Sequence, residues 1–353
     1  MHFNNFHFLR FFAAVLVIYG HTYPLAGYGN LDDIQRITGG LFPSAHIGVC
    51  IFFSISGYLI AKSLESSKKY FHFFLKRLIR IMPGLIAAVL FTVFVLGPFC
   101  TTLPLKQYFS DAATYDYLKV IKLFPQYPDS LPGVFKSLPI TLVNGSLWTL
   151  AYEVTCYGLL MGAHMLFRKH LKIFLLIAFA AVWGSYFYWN TSLSAHPVPL
   201  RFIHLNLYDL LDFGLYFLVG SLLYYYQDLI SYRWVWLLLS FLVFMLSFVL
   251  SSKLAIIPLD SIVWVRYVFL PYAVLSLGFK KGLLNKFGNY GDISYGLYIY
   301  AFPVQQMILS FTGPENISIA MLFVTALVLI LPLAWVSWKF IEEPVLKLKG
   351  GLK

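Results

Sequence analysis

The sequence predicts an all-α membrane protein, a polytopic bundle of about ten transmembrane helices with both termini cytoplasmic. Three observations lead there. Of the 353 residues, 59% are hydrophobic and 12% charged, more apolar surface than one water-soluble globule of ordinary shape can hide. The apolar residues gather in stretches close to the ~20 residues that span ~30 Å of hydrocarbon, where a helix satisfies its own backbone. The basic residues, finally, collect on alternate loops.

Apolar length read against Pro, Gly and charge punctuation places the spans near 8–25, 45–64, 82–99, 146–167, 171–189, 207–226, 233–251, 258–279, 291–311 and 317–340. The first run, Phe8 to Pro24, has a single Arg in its charged region and no clear small-residue cleavage site after it. It therefore reads as a retained helix and not as a secretory signal. A basic inner loop, Lys68 to Pro83, precedes the third span. The segment Thr101 to Gly145 is the only long connection; its Lys, Asp, Tyr and Pro are too mixed to cross a membrane, and it reads as an external lid or loop.

With the N-terminus inside, the inner loops hold most of the 26 Lys and Arg residues, Lys349 and Lys353 among them, and the outer side keeps a minority that includes Arg201 and Lys253. That bias places both termini in the cytoplasm, in agreement with an even number of spans. No soluble domain, low-complexity tract or internal repeat interrupts the pattern, so residues 1–353 read as one membrane domain. The net charge of +11 is divided among short loops and forms no single stripe, which argues against nucleic acid. Cys50, Cys100 and Cys156 are odd in number and lack the close pairing of a metal or redox site, and so read as buried thiols.

Within the spans, a few polar residues stand out because hydrocarbon penalises them. Arg10 and His21 are eleven residues apart on the first span, almost a whole number of helical turns, so they share a face and sit roughly 16 Å apart along it. Taken alone, Arg10 also fits a snorkelling interfacial anchor, and His21 a helix end satisfied by a backbone carbonyl. Glu153 lies about seven residues into the fourth span, roughly 10 Å deep and level with His21. A carboxylate there needs a partner, and a histidine is the cheapest one. His21 as a base and Glu153 as the group that orients it is the chemical reading; a protonated or otherwise satisfied packing residue is the other reading of Glu153.

On the inner loop, Arg77 and Arg80 are three apart, hence neighbours on a short helix that Pro83 separates from the next span. Two guanidiniums on one face can grip phosphate bidentately, or simply meet lipid headgroups. Ser54, Ser56 and Gly57 read as small residues that allow close helix packing. Arg266 reads either as an interfacial residue or as the partner of Asp209 or Asp212. A nucleophilic role for Cys156, buried one turn from Glu153, is disfavoured.

These landmarks resemble acyltransferase family 3, the polytopic acyltransferases that modify bacterial surface glycans, peptidoglycan and some antibiotics. The similarity is carried by Arg10 and His21, with ten residues between them, in the first span, by the run from Gly48 to Gly57 with the Tyr-Leu-Ile after it, and by the Arg77/Arg80 pair. It continues in the segment Ser146 to Glu153 and in the ninth-span segment Ser294 to Pro303. Two departures are visible: Ala301 stands where many members have histidine, and Val154 where an acidic residue is common. The chain looks like the standalone form, without a C-terminal hydrolase-like domain.

The resemblance implies an acyl-CoA-dependent O-acyltransferase, with acetyl-CoA as donor and no metal. Its acceptor is a hydroxyl on a cell-surface carbohydrate such as lipopolysaccharide O-antigen, free or lipid-linked, and its place is the bacterial inner (cytoplasmic) membrane. In that scheme Arg77 and Arg80, helped by Arg10, bind the donor phosphates, while His21 and Glu153 serve the acceptor hydroxyl. Two rival readings predict different behaviour. A membrane carrier for an organic acid or acyl-linked lipid gives flux without transfer, and a scaffold in a glycan-export complex makes His21 dispensable.

Overall fold

The computed structural model describes residues 5–29, 31–124, 128–200, 203, 205–252, 256, 258 and 260–348. Arg201, Lys253, Lys349 and Lys353, and the two chain ends expected in the cytoplasm, lie outside the described residues. The longer helices are α1 (Phe6–Leu25), α2 (Ser44–Glu65), α3 (Tyr70–Phe91), α4 (Trp148–Phe167), α5 (Leu171–Gly184), α6 (Tyr186–Ala195), α7 (Leu207–Tyr225), α8 (Trp234–Ser252), α9 (Asp260–Gly278), α10 (Ser294–Thr312) and α11 (Ile319–Ser337). The protein is an all-α, multi-pass membrane protein, its only β-ladder being the antiparallel pair Pro199–Leu200 and Leu205–Asn206 among the described residues.

Among the described residues, seven helical runs are long and apolar enough to cross a bilayer: Phe6–Leu25, Ser44–Glu65, Tyr70–Cys100, Leu207–Tyr225, Trp234–Ser252, Asp260–Gly278 and Ile319–Lys347. The α5/α6 pair, bent by 61° at Ser185, makes an eighth if it counts as one broken span. Helices α4 and α10 occupy the positions of the fourth and ninth expected spans but stand outside that set. Their composition explains it. α4 carries Thr149, Glu153, Tyr157 and His164, and α10 carries three tyrosines and two glutamines. Most of α10 is buried in protein, and a helix solvated by protein need not be apolar all round.

Two sequence expectations change in detail. Pro83 does not separate a short basic helix from the third span; it lies inside α3, which carries Arg77 and Arg80 and runs without a break into the span. A proline removes one helical hydrogen bond, but packed neighbours in a membrane bundle can keep such a helix continuous. The long connection from Thr101 is not a plain loop either. It folds into short helices at Leu105–Ser110, Ala112–Asp116 and Tyr117–Lys122, pinned by the buried Tyr108, whose hydroxyl donates to the Val93 carbonyl at 2.9 Å.

Two compact units make up the chain: residues 1–10, 49–70 and 152–289, and residues 11–48, 71–151 and 290–353. In the first, α2 and α7 pack backbone to backbone. A Cβ on Gly57 would lie 2.0 Å from the Phe217 carbonyl oxygen, and one on Gly220 would lie 2.3 Å from that of Ser54. Arg266 of α9 is buried, with its guanidinium 3.9 Å from Asp212 and the Tyr267 hydroxyl donating to the same carboxylate. Arg266 is thus a paired buried cation, as membrane depth requires. In the second unit α1 and α2 cross equally closely, because Gly20 faces Ala45 and Gly48 faces the Ala13 carbonyl. Gly296 of α10 packs on Ala334 of α11.

Candidate active site

In the second unit α10 organises the surroundings of His21. The His21 ring meets Phe302 edge to face at 5.3 Å, and its buried Nδ1 has no hydrogen-bond partner among the described residues. Gln305, one turn beyond Ala301 and fully buried, donates from Nε2 to the Ile18 carbonyl at 3.0 Å and to Thr22 Oγ1 at 2.9 Å. The residues it holds lie on either side of His21 in α1. The Phe302 ring also packs on Gly145, where an added Cβ would lie 2.6 Å from it. Asn144 donates to the Ile299 carbonyl at 2.8 Å, and Gln306 donates to the carbonyls of Ile140 and Leu142 at 2.6 and 2.9 Å. The Tyr298 hydroxyl donates to the Ser146 carbonyl at 2.7 Å, so the Thr149 hydroxyl, 2.5 Å away, is the donor to Tyr298. Ala301 is fully buried in this assembly.

Arg80 is the centre of a second polar cluster in the same unit. Its guanidinium lies 2.5 Å from Asp292 Oδ2 and 3.5 Å from Glu342 Oε2, with the Tyr295 and Trp338 rings 5.9 and 5.5 Å away. Both carboxylates are buried and each is steadied by a serine: Ser294 donates to Asp292 at 2.5 Å and Ser337 to Glu342 at 3.3 Å. A π-helical turn, Trp338–Glu342, continues α11, and such turns often re-aim a side chain at functional sites. Close approach is needed here as well. Gly84 meets Tyr295 and the Glu342 carboxylate, and Gly291, at φ +95, meets the Trp338 ring. Arg77 lies one turn before Arg80 on α3.

In the first unit Glu153 is satisfied by hydroxyls. Ser56 Oγ donates to its Oε1 at 2.6 Å and the Tyr157 hydroxyl donates to the same oxygen. Arg10 is on the part of α1 that belongs to this unit, whereas His21, Arg77 and Arg80 belong to the other. Sequence reasoning missed four participants: Ser56 and Tyr157 as partners of Glu153, and Asp292 and Glu342 as partners of Arg80. For the two acids a signal was available, since carboxylates in or beside apolar spans are functional candidates by default. No group of three or more His, Cys, Asp or Glu that could hold a metal occurs among the described residues. Cys50, Cys100 and Cys156 form no disulfide among the described residues, Cys50 and Cys156 being buried and Cys100 partly exposed.

The buried Nδ1 of His21, without a hydrogen-bond partner among the described residues, suits proton transfer, and the Arg77/Arg80 pair of the same unit suits an anionic ligand. Comparison with known proteins then decides the class. Residues 3–339 match the family described as acyltransferase domain. The chain belongs to that acyltransferase family. It is also similar to a protein of Shigella phage Sf6 named O-acetyl transferase, at 30% identity over 340 residues that cover 96% of this chain and 95% of that one. A second relative, Nodulation protein 10 of Rhizobium leguminosarum bv. viciae, is 27% identical over 376 aligned positions, covering 99% of this chain and 95% of the relative. No solved structure matches the chain. The protein is therefore a multi-pass membrane acyltransferase.

Proposed function

We propose that this acyltransferase is an O-acetyltransferase of the bacterial inner membrane. It takes acetyl from cytoplasmic acetyl-CoA and places it on a hydroxyl of a cell-surface carbohydrate, such as O-antigen, either free or lipid-linked. The observation that supports this best is the buried, unpartnered Nδ1 of His21. A buried polar atom left unpaired costs about 1–3 kcal/mol, a cost removed when an acceptor hydroxyl docks against it. The phage relative named O-acetyl transferase, similar along nearly the whole of both chains, supports transfer to oxygen.

In this reading the acceptor hydroxyl gives its proton to His21 as its oxygen attacks the thioester carbonyl. The carbon–sulfur bond then breaks, and the departing thiolate of coenzyme A takes up a proton. Arg77 receives donor phosphate, with Arg80 beside it held in a fixed orientation by Asp292 and Glu342. Arg10 as a further donor-binding residue, and Glu153 as the group that orients His21, are proposed on the sequence alone. So are the count of ten spans, the cytoplasmic placement of both termini and the treatment of residues 1–353 as one domain. The test is incubation of membranes containing the protein with radiolabelled acetyl-CoA and analysis of the carbohydrate fraction. Alkali-labile label above that of membranes lacking the protein is expected; donor binding without any label in carbohydrate would overturn the acceptor assignment.

A further inference from the structure

The first unit contains a cleft that the proposed chemistry does not use. Helices α4, α5 and α7 enclose a cavity of about 450 Å³ lined almost wholly by apolar side chains, running from Cys156 to the stacked rings of Phe167 and Phe174. Its walls include Gly158 and Gly162 of α4 and Gly214 of α7. Glycine inside a helix costs about 1 kcal/mol against alanine, and in this protein it usually permits close approach, as at Gly57 and Gly220. These three are different: a Cβ built on any of them meets nothing within 4 Å. They keep space open.

The dimensions fit one lipid tail. From Cys156 to Phe167 the helix rises roughly 16 Å, about half of a ~30 Å hydrocarbon core and so one leaflet deep.

The end of the cleft at Phe167 and Phe174 is marked by charge. The turn between α4 and α5 exposes Arg168, Lys169 and His170, and Lys172 follows in the first turn of α5, 5.9 Å from the Tyr226 ring. His170 is the N-cap of α5 but makes no side-chain cap bond, which leaves first-turn amides directed at any oxygen anion placed there. The carboxylates near this end are Asp228, exposed, and Glu65, which lies 3.4 Å from His164 Nε2. We propose that this cleft binds one acyl tail of an anionic phospholipid, whose phosphate is held by Arg168, Lys169, Lys172 and the N-terminus of α5.

The test is native mass spectrometry of the purified protein after incubation with equal amounts of phosphatidylglycerol and phosphatidylcholine. Wild type is expected to retain one phosphatidylglycerol in preference to phosphatidylcholine. Gly162→Leu puts a side chain into the cleft, its Cβ meeting nothing within 4 Å, and should remove that lipid. Arg168→Gln with Lys172→Gln keeps the cleft but should lower retention of phosphatidylglycerol by about 30-fold, the share of two surface cations. Equal retention of both lipids by wild type, or unchanged retention by Gly162→Leu, would overturn the proposal. Conversion of a dimer to a monomer by Gly162→Leu with the lipid still bound would overturn it in favour of a second copy. Should Gly162→Leu lower the melting temperature sharply, the exposed Arg168/Lys172 pair decides the matter alone.

Discussion

Replacing Gln305 with leucine separates the bracing of His21 from the stability of the fold. The change keeps an apolar body of similar length in a fully buried position and deletes the Nε2 donor that reaches the Ile18 carbonyl and Thr22 Oγ1. Two ordinary hydrogen bonds contribute about 0.5–1.5 kcal/mol each. Two features reduce the loss. The Ile18 carbonyl keeps the Thr22 hydroxyl as a donor at 2.9 Å, and Gln305 Oε1, buried without a partner among the described residues, is removed together with its own desolvation cost. The expected destabilisation is therefore about 1 kcal/mol, a shift of about one to two degrees in melting temperature. Activity should fall far more, by about 10²-fold, because α1 is no longer held where His21 needs it and a misplacement of about 1 Å costs that much. Acetyl transfer per folded molecule, with folding followed by fluorescence-monitored melting, separates the two effects. Transfer that falls only in proportion to the folded fraction would refute the bracing role of α10.

Asp292→Asn keeps the shape of the Arg80 partner but removes its charge, and should weaken acetyl-CoA binding while leaving the acceptor KM unchanged; equal effects on both would show that the cluster serves folding alone. Glu342→Ala should cost more stability than Asp292→Asn, because Ser337 loses its carboxylate and a cavity opens beside Gly84, as read from the melting temperatures of the two variants. Gly57→Ala should destabilise by about 3 kcal/mol or prevent assembly, since its Cβ would lie 2.0 Å from the Phe217 carbonyl oxygen, and normal expression and melting would contradict that packing. Ser56→Ala with Tyr157→Phe leaves Glu153 without both of its described donors and should reduce stability by several kcal/mol, whereas restoring either hydroxyl should recover a large part of the loss.

Much of the fold was legible because lipid imposes a length and a composition on every span. Each expected span has a helix at its place, and the N-terminal half of α3 is the main boundary change: Lys76, Arg77 and Arg80 made the start of that helix look like a loop. The bend between α5 and α6 falls at the Gly184–Ser185 pair, a type of pair at which helices kink, but it lies inside an apolar run that reads as one span. His21 was legible through its spacing from Arg10 and through the cost of an imidazole in hydrocarbon. Its environment was not, because Phe302 and Gln305 reach it from the far end of the sequence.

The same limit applies to the charged residues. Local spacing made Arg77 and Arg80 a pair, but the partner of Arg80 is Asp292, 212 residues away, and only folding brings those residues together. Glu153 was expected either to orient His21 or to be satisfied in packing, and its described partners are two hydroxyls, those of Ser56 and Tyr157. Hydroxyls are too common in membrane helices to be singled out from sequence. Arg266 with Asp212 shows where the reasoning worked, since both residues sat in spans and each was costly alone.

The proposed mechanism turns on His21 accepting the proton of the acceptor hydroxyl during acyl transfer. The direct measurement is transfer of radiolabelled acetyl from acetyl-CoA to carbohydrate by purified wild-type and His21→Ala protein, with donor binding and melting temperature recorded on the same samples. Loss of transfer with donor binding and melting unchanged is the predicted result. Transfer by His21→Ala at the wild-type rate would contradict it.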